Sequence, residues 1–321
     1  MRAMASRCAE IESDLVASAM GEATPAASRR VEAHLERCGS CRDEFARYRV
    51  IDREVATMRS EPAIEDEIAR AREALRARLA DVRSRILRYR VFATPFGHVA
   101  IGHSEQGVAL VEYLGRGSRL DVQRLRRVAD VEVVEGGREL LAFQQELGEY
   151  FEGRRDRLPW PLDLRLARSD FHRRVLETAA RIPYGGVISY KGLAQQLGRP
   201  SAVRAVAQAL RWNPLPIVIP CHRVVGASGA LVGYAGGATT RKRRLLSIEG
   251  VPLARIPHDY RVRREAMYVR APGDAEYCLP TCPSVDPFPQ GGVLFGSKAR
   301  AEAAGYAPCT TCRPDLHPLV A

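Results

Sequence analysis

Residues 182–250 read IPYGGVISYKGLAQQLGRPSAVRAVAQALRWNPLPIVIPCHRVVGASGALVGYAGGATTRKRRLLSIEG, and the pattern within this stretch decides the architecture. After Tyr190, the apolar residues Leu193, Ala194 and Leu197 recur at helical spacing, and Val203, Val206, Ala207 and Leu210 repeat the pattern after Ser201. Positions at that period share one helix face and press it against a core. The spacing therefore predicts helices over 190–198 and 201–212. Between them LGRPS is a turn whose Ser201 is placed to cap the second helix. Two helices so joined make a helix-turn-helix. Ile217-Val218-Ile219-Pro220 then reads as a buried extended segment delivering Cys221, His222 and Arg223. A solitary thiol beside an imidazole is a candidate nucleophile, because the thiolate is the reactive form.

Charge singles out the same region. The chain carries a formal net charge of +11. Residues 163–250 hold fourteen Arg/Lys against Asp163, Asp170, Glu177 and Glu249, a net of +10, so nearly all the excess sits there. Such a local excess is the footprint of a polyanion-binding surface. All the basic residues except Lys191, Lys242 and Lys298 are arginine. Arginine grips phosphate with a planar fork, although an Ala- and Arg-rich composition also follows from genomic base bias.

Working outward, 321 residues suit two or three domains. With 46% apolar and 27% charged residues, disordered, collagen-like and purely coiled-coil chains are excluded. No apolar run approaches the roughly 20 residues of a membrane helix. The N-terminus turns acidic within ten residues and lacks the apolar core of a signal peptide. The expectation is a soluble, cytoplasmic protein with no membrane partner.

The other seven cysteines form two groups. Cys278-x3-Cys282 and Cys309-x2-Cys312 offer four thiolates in two close pairs, the pattern of a closed tetrahedral zinc site. The surrounding segment is small and rich in Pro and Gly, so a metal would supply folding energy that its core lacks. Two redox pairs are the alternative. Near the start, His34 and Cys38 fall on one face of a predicted helix (SRRVEAHLERC), Cys41 follows at its end, and Cys8 offers a fourth zinc ligand. Unbound surface residues are the alternative there.

The Pro-Cys-His-Arg-Val core at 220–224, preceded by Asn213-Pro214, makes residues 182–250 resemble the O6-alkylguanine-DNA alkyltransferase (methylated-DNA–protein-cysteine methyltransferase) family. Upstream, FATPFGHVAIGHSEQGVALVEYL and LGEYFEGRRDRLPWPLDL resemble the family's ribonuclease-H-like N-terminal subdomain, so the likeness covers about residues 88–250. The resemblance implies DNA repair by stoichiometric transfer of an alkyl group from O6-alkylguanine, with O4-alkylthymine as a second lesion, to Cys221. It makes His222 the base acting through a water, Glu249 its orienter, Asn213 the tie of the active-site turn and Tyr190 a donor to the guanine. No cofactor is implied for the transfer. The second helix would enter the minor groove of double-stranded DNA, with Arg204 replacing the flipped-out base and Ser201, Ala205, Arg211 and Arg223 as further DNA contacts. Val232, Tyr234, Ala235 and Gly236 would line the substrate pocket.

The words EYCLPTCP and EAAGYAPCTTCRPD resemble the zinc-binding domain of the Ada adaptive-response protein, in which the residue matching Cys278 accepts methyl from a phosphotriester. Residues 1–50 resemble the zinc-binding anti-sigma domain, which implies a sigma factor as partner and, as an alternative function, an alkylation- or zinc-responsive regulator of transcription. Ile64, Ile68, Ala71, Leu75, Leu79, Val82 and Ile86 form one apolar stripe, read as a long helix that serves as linker, partner-binding or dimerising element. The fold expected is thus multidomain α+β. It comprises a helical zinc-finger domain at 1–50 and a helical linker at 51–87. A ribonuclease-H-like α/β subdomain follows at 88–162, a DNA-binding and catalytic domain at 163–255, and a zinc module at 256–321.

Overall fold

The computed structural model describes residues 2–60, 65–115, 119–234, 239–257, 259–286 and 289–319. The chain forms two compact units, Met1–Leu79 and Ala80–Ala321.

The first unit is helical: α1 spans Arg2–Ala19, α2 Pro25–Leu35 and α3 Gly39–Ser60, and α4 begins at Glu65 and runs to Ser84. Thr24 caps α2 by accepting from the Ala27 amide, and Pro25 occupies the first turn, where its missing N–H costs nothing. The buried core is small: Leu15, Val31, Cys38 and Cys41, with Cys8, Ile11, Leu35, Phe45 and Tyr48 packed against it. The helix expected to carry both His34 and Cys38 ends at Leu35, and Cys41 sits in the first turn of α3. Cys38 lies in the connecting turn, its amide held by the His34 carbonyl at 3.0 Å, which keeps the two side chains together without a continuous helix. Of the apolar stripe, Ile68, Leu75, Leu79 and Val82 lie on α4 and are exposed, Ile64 is outside the described residues, and Ile86 belongs to a strand.

In the second unit, β1 (Ile86–Thr94), β2 (Gly97–Ser104), β3 (Gly107–Tyr113) and β4 (Glu132–Glu135) form a sheet ordered β3-β2-β1-β4, with α5 (Val122–Ala129) and α6 (Leu140–Phe151) between and after them. Two-residue turns join β1 to β2 and β2 to β3. Gly107 (φ +140°) is required there: a Cβ would lie 2.2 Å from the Pro161 carbonyl, which accepts from the Val108 amide. This sheet, α6 and the following helices share one core containing Phe92, Ile101, Val108, Leu147, Leu176 and Val206.

The helical part holds α7 (Asp170–Ala180), β5 (Gly186–Ser189), α8 (Tyr190–Gln196), α9 (Val203–Arg211), β6 (Val224–Val225) and α10 (Thr239–Ile248). Helices α8 and α9 make the helix-turn-helix, burying Leu193, Ala194, Val206, Ala209 and Leu210. Gly198 (φ +68°) closes α8 as its left-handed cap, and the Arg199 amide returns to the Ala194 carbonyl. Ser201 does not cap α9: the capping position is Ala202, with no side-chain bond. Ile217 and Ile219 are buried and Val218 is half-buried, but the segment is not extended. Ile217 has φ +78°, a conformation that costs a β-branched residue strain and persists only where its surroundings enforce it.

The C-terminal segment contains β7 (Leu253–Ile256), β8 (Asp259–Val262), β9 (Tyr268–Arg270), β10 (Glu276–Tyr277), β11 (Val293–Phe295), α11 (Lys298–Ala303) and β12 (Ala307–Pro308). Strands β7 with β8 and β10 with β12 form two-stranded sheets of their own. Strand β11 pairs antiparallel with both β9 and β5, giving a sheet ordered β6-β5-β11-β9.

Candidate active site

A short 3₁₀ turn, Cys221–Arg223, follows α9 and leads into β6. Asn213 builds its support: the side-chain amide donates to the Ile219 carbonyl at 2.9 Å and its oxygen accepts from the Leu215 amide at 2.9 Å. The adjacent Pro214 carbonyl accepts from the Val111 amide at 2.8 Å, which ties the turn to β3.

Cys221 is buried. Burial pushes its thiol pKa up, opposed by the neighbouring Asn213 amide and the Lys242 ammonium, which favour the thiolate. Next to it, His222 is wholly buried and its Nε2 lies 2.6 Å from Glu249 Oε1. Burial lowers the imidazole pKa and the Glu249 charge opposes the drop, so a neutral base is held ready near pH 7. Its Nδ1 is buried with no partner among the described residues.

Glu249, also fully buried, is the hub. Burial alone would raise its pKa, but the Arg223 guanidinium and His222 hold it far below the usual carboxylate range. Oε2 accepts from Arg223 Nε at 2.9 Å and from the Gly185 amide at 3.0 Å, while Oε1 accepts from Arg223 Nη2 at 3.1 Å and Tyr150 OH at 2.5 Å. Arg223, expected as a DNA contact, is instead buried here, with Nη1 donating to the Ile182 carbonyl. Its charge neutralises Glu249 inside the protein rather than meeting phosphate at the surface.

A cavity of about 710 Å³ opens beside Cys221, lined among others by Tyr190, Arg204, Ala207, Val232 and Tyr234. Tyr190 OH donates to the Val232 carbonyl at 3.1 Å, and burial followed by the nearby Cys221 charge pushes its pKa up to about 12, so it stays a proton donor. Tyr234 is buried with its OH 3.1 Å from Tyr113 OH of β3. Ala235 and Gly236 lie outside the described residues. On α9 and the turn before it, Ser201, Arg204, Ala205 and Arg211 are exposed.

Lys242, Tyr150, Gly185 and Tyr113 were not anticipated. The fully buried Lys242 donates to the Val224 carbonyl at 2.6 Å, Val232 at 3.1 Å and Gly233 at 3.4 Å, tying the strand after Cys221 to the cavity wall. Burial lowers its pKa to about 8. A signal existed: Lys242, Leu245 and Leu246 form the buried face of α10, and Glu249, just past its end, continues the i, i+3, i+4, i+7 spacing.

The described residues hold two metal-ligand groups besides this site. The ligand atoms of Cys278, Cys282, Cys309 and Cys312 all lie within 4.8 Å of one another, as do those of Cys8, His34, Cys38 and Cys41. A tetrahedral zinc–thiolate site with bonds of about 2.3 Å needs sulfurs roughly 3.8 Å apart, so both donor sets fit the ion in type and spacing. The Leu279 amide also points at Cys312 Sγ at 3.3 Å, a bond that favours a thiolate.

Residues 170–251 match the family described as 6-O-methylguanine DNA methyltransferase, DNA binding domain. The methylated-DNA–protein-cysteine methyltransferase of Methanosarcina acetivorans is 34% identical over 164 residues, 50% of this chain and 97% of that protein. The chain belongs to the methylated-DNA–protein-cysteine methyltransferase family. Family members from Mycolicibacterium paratuberculosis and Bacillus subtilis, the latter named constitutive, are 50% and 46% identical over 105 and 108 residues, 33% and 34% of this chain. The chain spans 62% and 64% of the length of those two relatives. A crystal structure of Mycobacterium tuberculosis OGT in complex with DNA is 34% identical, covering 50% of this chain and 92% of that one with a TM-score of 0.43. Outside the family region, residues 273–315 match the metal binding domain of Ada, and residues 8–42 match a zinc-finger family.

Proposed function

We propose that this protein repairs O6-alkylguanine in double-stranded DNA by moving the alkyl group onto Cys221, once per molecule. The observation that carries the reading is the buried line Cys221, His222, Glu249 beside a cavity large enough for an extruded base. In the step, His222 Nδ1 takes the thiol proton through a water, Sγ forms a bond to the alkyl carbon, and the carbon–O6 bond breaks. Its electron pair stays on the guanine, which regains a proton with Tyr190 as donor. No redox change occurs, and the thioether has no leaving route.

Helix α9 is read as lying in the minor groove, with Arg204 filling the gap left by the base, supported by its exposed place on the cavity rim. The ribonuclease-H-like reading of the N-terminal sheet and the domain limits at 88, 163 and 256 belong to the same proposal, as do Val232 and Tyr234 as pocket walls. Zinc is the ion proposed for both Cys/His groups, serving structure. For residues 1–50, the zinc-finger match supports a protein-binding role with a sigma factor as partner, tested by native co-purification.

Intact-mass analysis after mixing with an O6-methylguanine duplex tests the reaction. The expected result is one methyl per chain, mapped to Cys221 and lost in Cys221→Ala. A native sample that gains none refutes it.

A further inference from the structure

The C-terminal metal-ligand segment is wired by backbone hydrogen bonds to the residue that orients the base. Cys278 exchanges both of its backbone bonds with Val269 of β9, each at 2.8 Å. Val269 is paired with Leu294 of β11, and Leu294 with Val187 of β5. Two residues before Val187, the Gly185 carbonyl accepts from the Gly296 amide at 3.2 Å, while the Gly185 amide donates to Glu249 Oε2 at 3.0 Å. From Cys278 to His222 each step is a ladder pairing, a hydrogen bond or a direct covalent connection.

The seam has no slack. Gly185 has φ +70°, and a Cβ there would lie 3.0 Å from the Glu249 carbonyl. A Cβ on Gly296 would lie 2.3 Å from the carbonyl of Gly250, the residue after Glu249. A second staple runs alongside: Arg300 of α11 stacks on Tyr184 at 4.3 Å, and Tyr184 OH donates to the Ile248 carbonyl at 3.2 Å.

We propose that β11 and Gly296 are positioning elements for the alkyl transfer, and that the Cys278, Cys282, Cys309, Cys312 centre is the far anchor holding them in place. The inference rests on the reaction proposed above. Its physical basis is that a strand bonded on both sides moves only if a neighbour lets go, and β9 is held at its outer side by a metal ligand. Without that anchor, β11 frays, the Gly185 amide drifts from Glu249, and His222 loses a fixed partner.

The full-length protein carrying Gly296→Ala tests the seam without touching a metal ligand. Single-turnover methyl transfer should slow by about tenfold or more, the value of a bond to a charged acceptor. DNA affinity should be unchanged. The acid limb of the pH–rate profile should move to lower pH, because an imidazole farther from its carboxylate binds its proton less tightly. Cys312→Ser tests the anchor by hydrogen exchange at the Val187 amide, expected to speed up at least tenfold, while Cys38→Ser in the first unit leaves it unchanged. Native rate and native pH profile in Gly296→Ala, or native Val187 exchange in Cys312→Ser, overturn the proposal. A native protein that takes no methyl sinks the reaction instead, and the exchange measurement still decides the anchor.

Discussion

Replacing Glu249 by Gln removes one charge and little volume from a fully buried position. Its carboxylate now accepts from Arg223, Tyr150 and Gly185 and pairs with His222. The amide offers one acceptor oxygen, and its nitrogen turns a donor toward donors. Arg223 would be left as a buried cation without a counter-charge, which costs about 3–5 kcal/mol. For a unit of 242 residues (80 to 321), each kcal/mol moves Tm by about 2–4 °C, so the expected fall is about 6–20 °C by circular dichroism. The sign with pH follows from the depressed Glu249 pKa. Its contribution is complete above the ordinary carboxylate range and is lost as pH falls through the folded value, so native and variant converge in acid. Single-turnover transfer should fall by roughly a hundred- to ten-thousand-fold, the usual worth of positioned acid–base catalysis. A Glu249→Gln protein that melts within 2 °C of native (roughly 1 kcal/mol or less) and alkylates at full rate refutes the hub.

Arg204→Ala should slow alkylation of a duplex about tenfold or more while sparing a single-stranded substrate, since only the duplex must pay for extrusion; equal effects on both would refute its wedge role. The native transfer rate should rise with pH only until His222 is neutral and then hold level to about pH 9, because burial lowers the His222 pKa and keeps the Cys221 thiol protonated for His222 to deprotonate; a stopped-flow rate that keeps climbing from pH 7 to 9 contradicts this. Lys242→Met should remove a stability gain between about pH 8 and 10.5, where the unfolded lysine still holds the proton that the folded one has released; parallel denaturation curves for native and variant across that window would be the contrary result. DNA affinity should drop steeply between low and moderate salt, as counterion release requires, and a salt-independent Kd would refute the basic-surface argument.

The nucleophile and its imidazole are adjacent in sequence, and helix periodicity placed α8 and α9 nearly to their ends. Arg223 shows the limit of such reading: its charge and position suggested phosphate, and only burial revealed that it serves Glu249. Ser201 fails for a related reason, since a capping residue type says nothing about whether the backbone begins its helix one residue later.

Local chemistry is written in short motifs: which residues titrate, which side chains ligate metal, which face of a helix is apolar. Those follow from residue type and spacing alone. What the chain order does not contain is the meeting of Gly185, Glu249 and Gly296, or of Tyr113 and Tyr234, because contacts across 47 to 121 residues depend on how sheets and helices pack. Hydrogen-bond ladders between distant strands carry no side-chain code, so the joining of β11 to β5 was decided by tertiary structure alone.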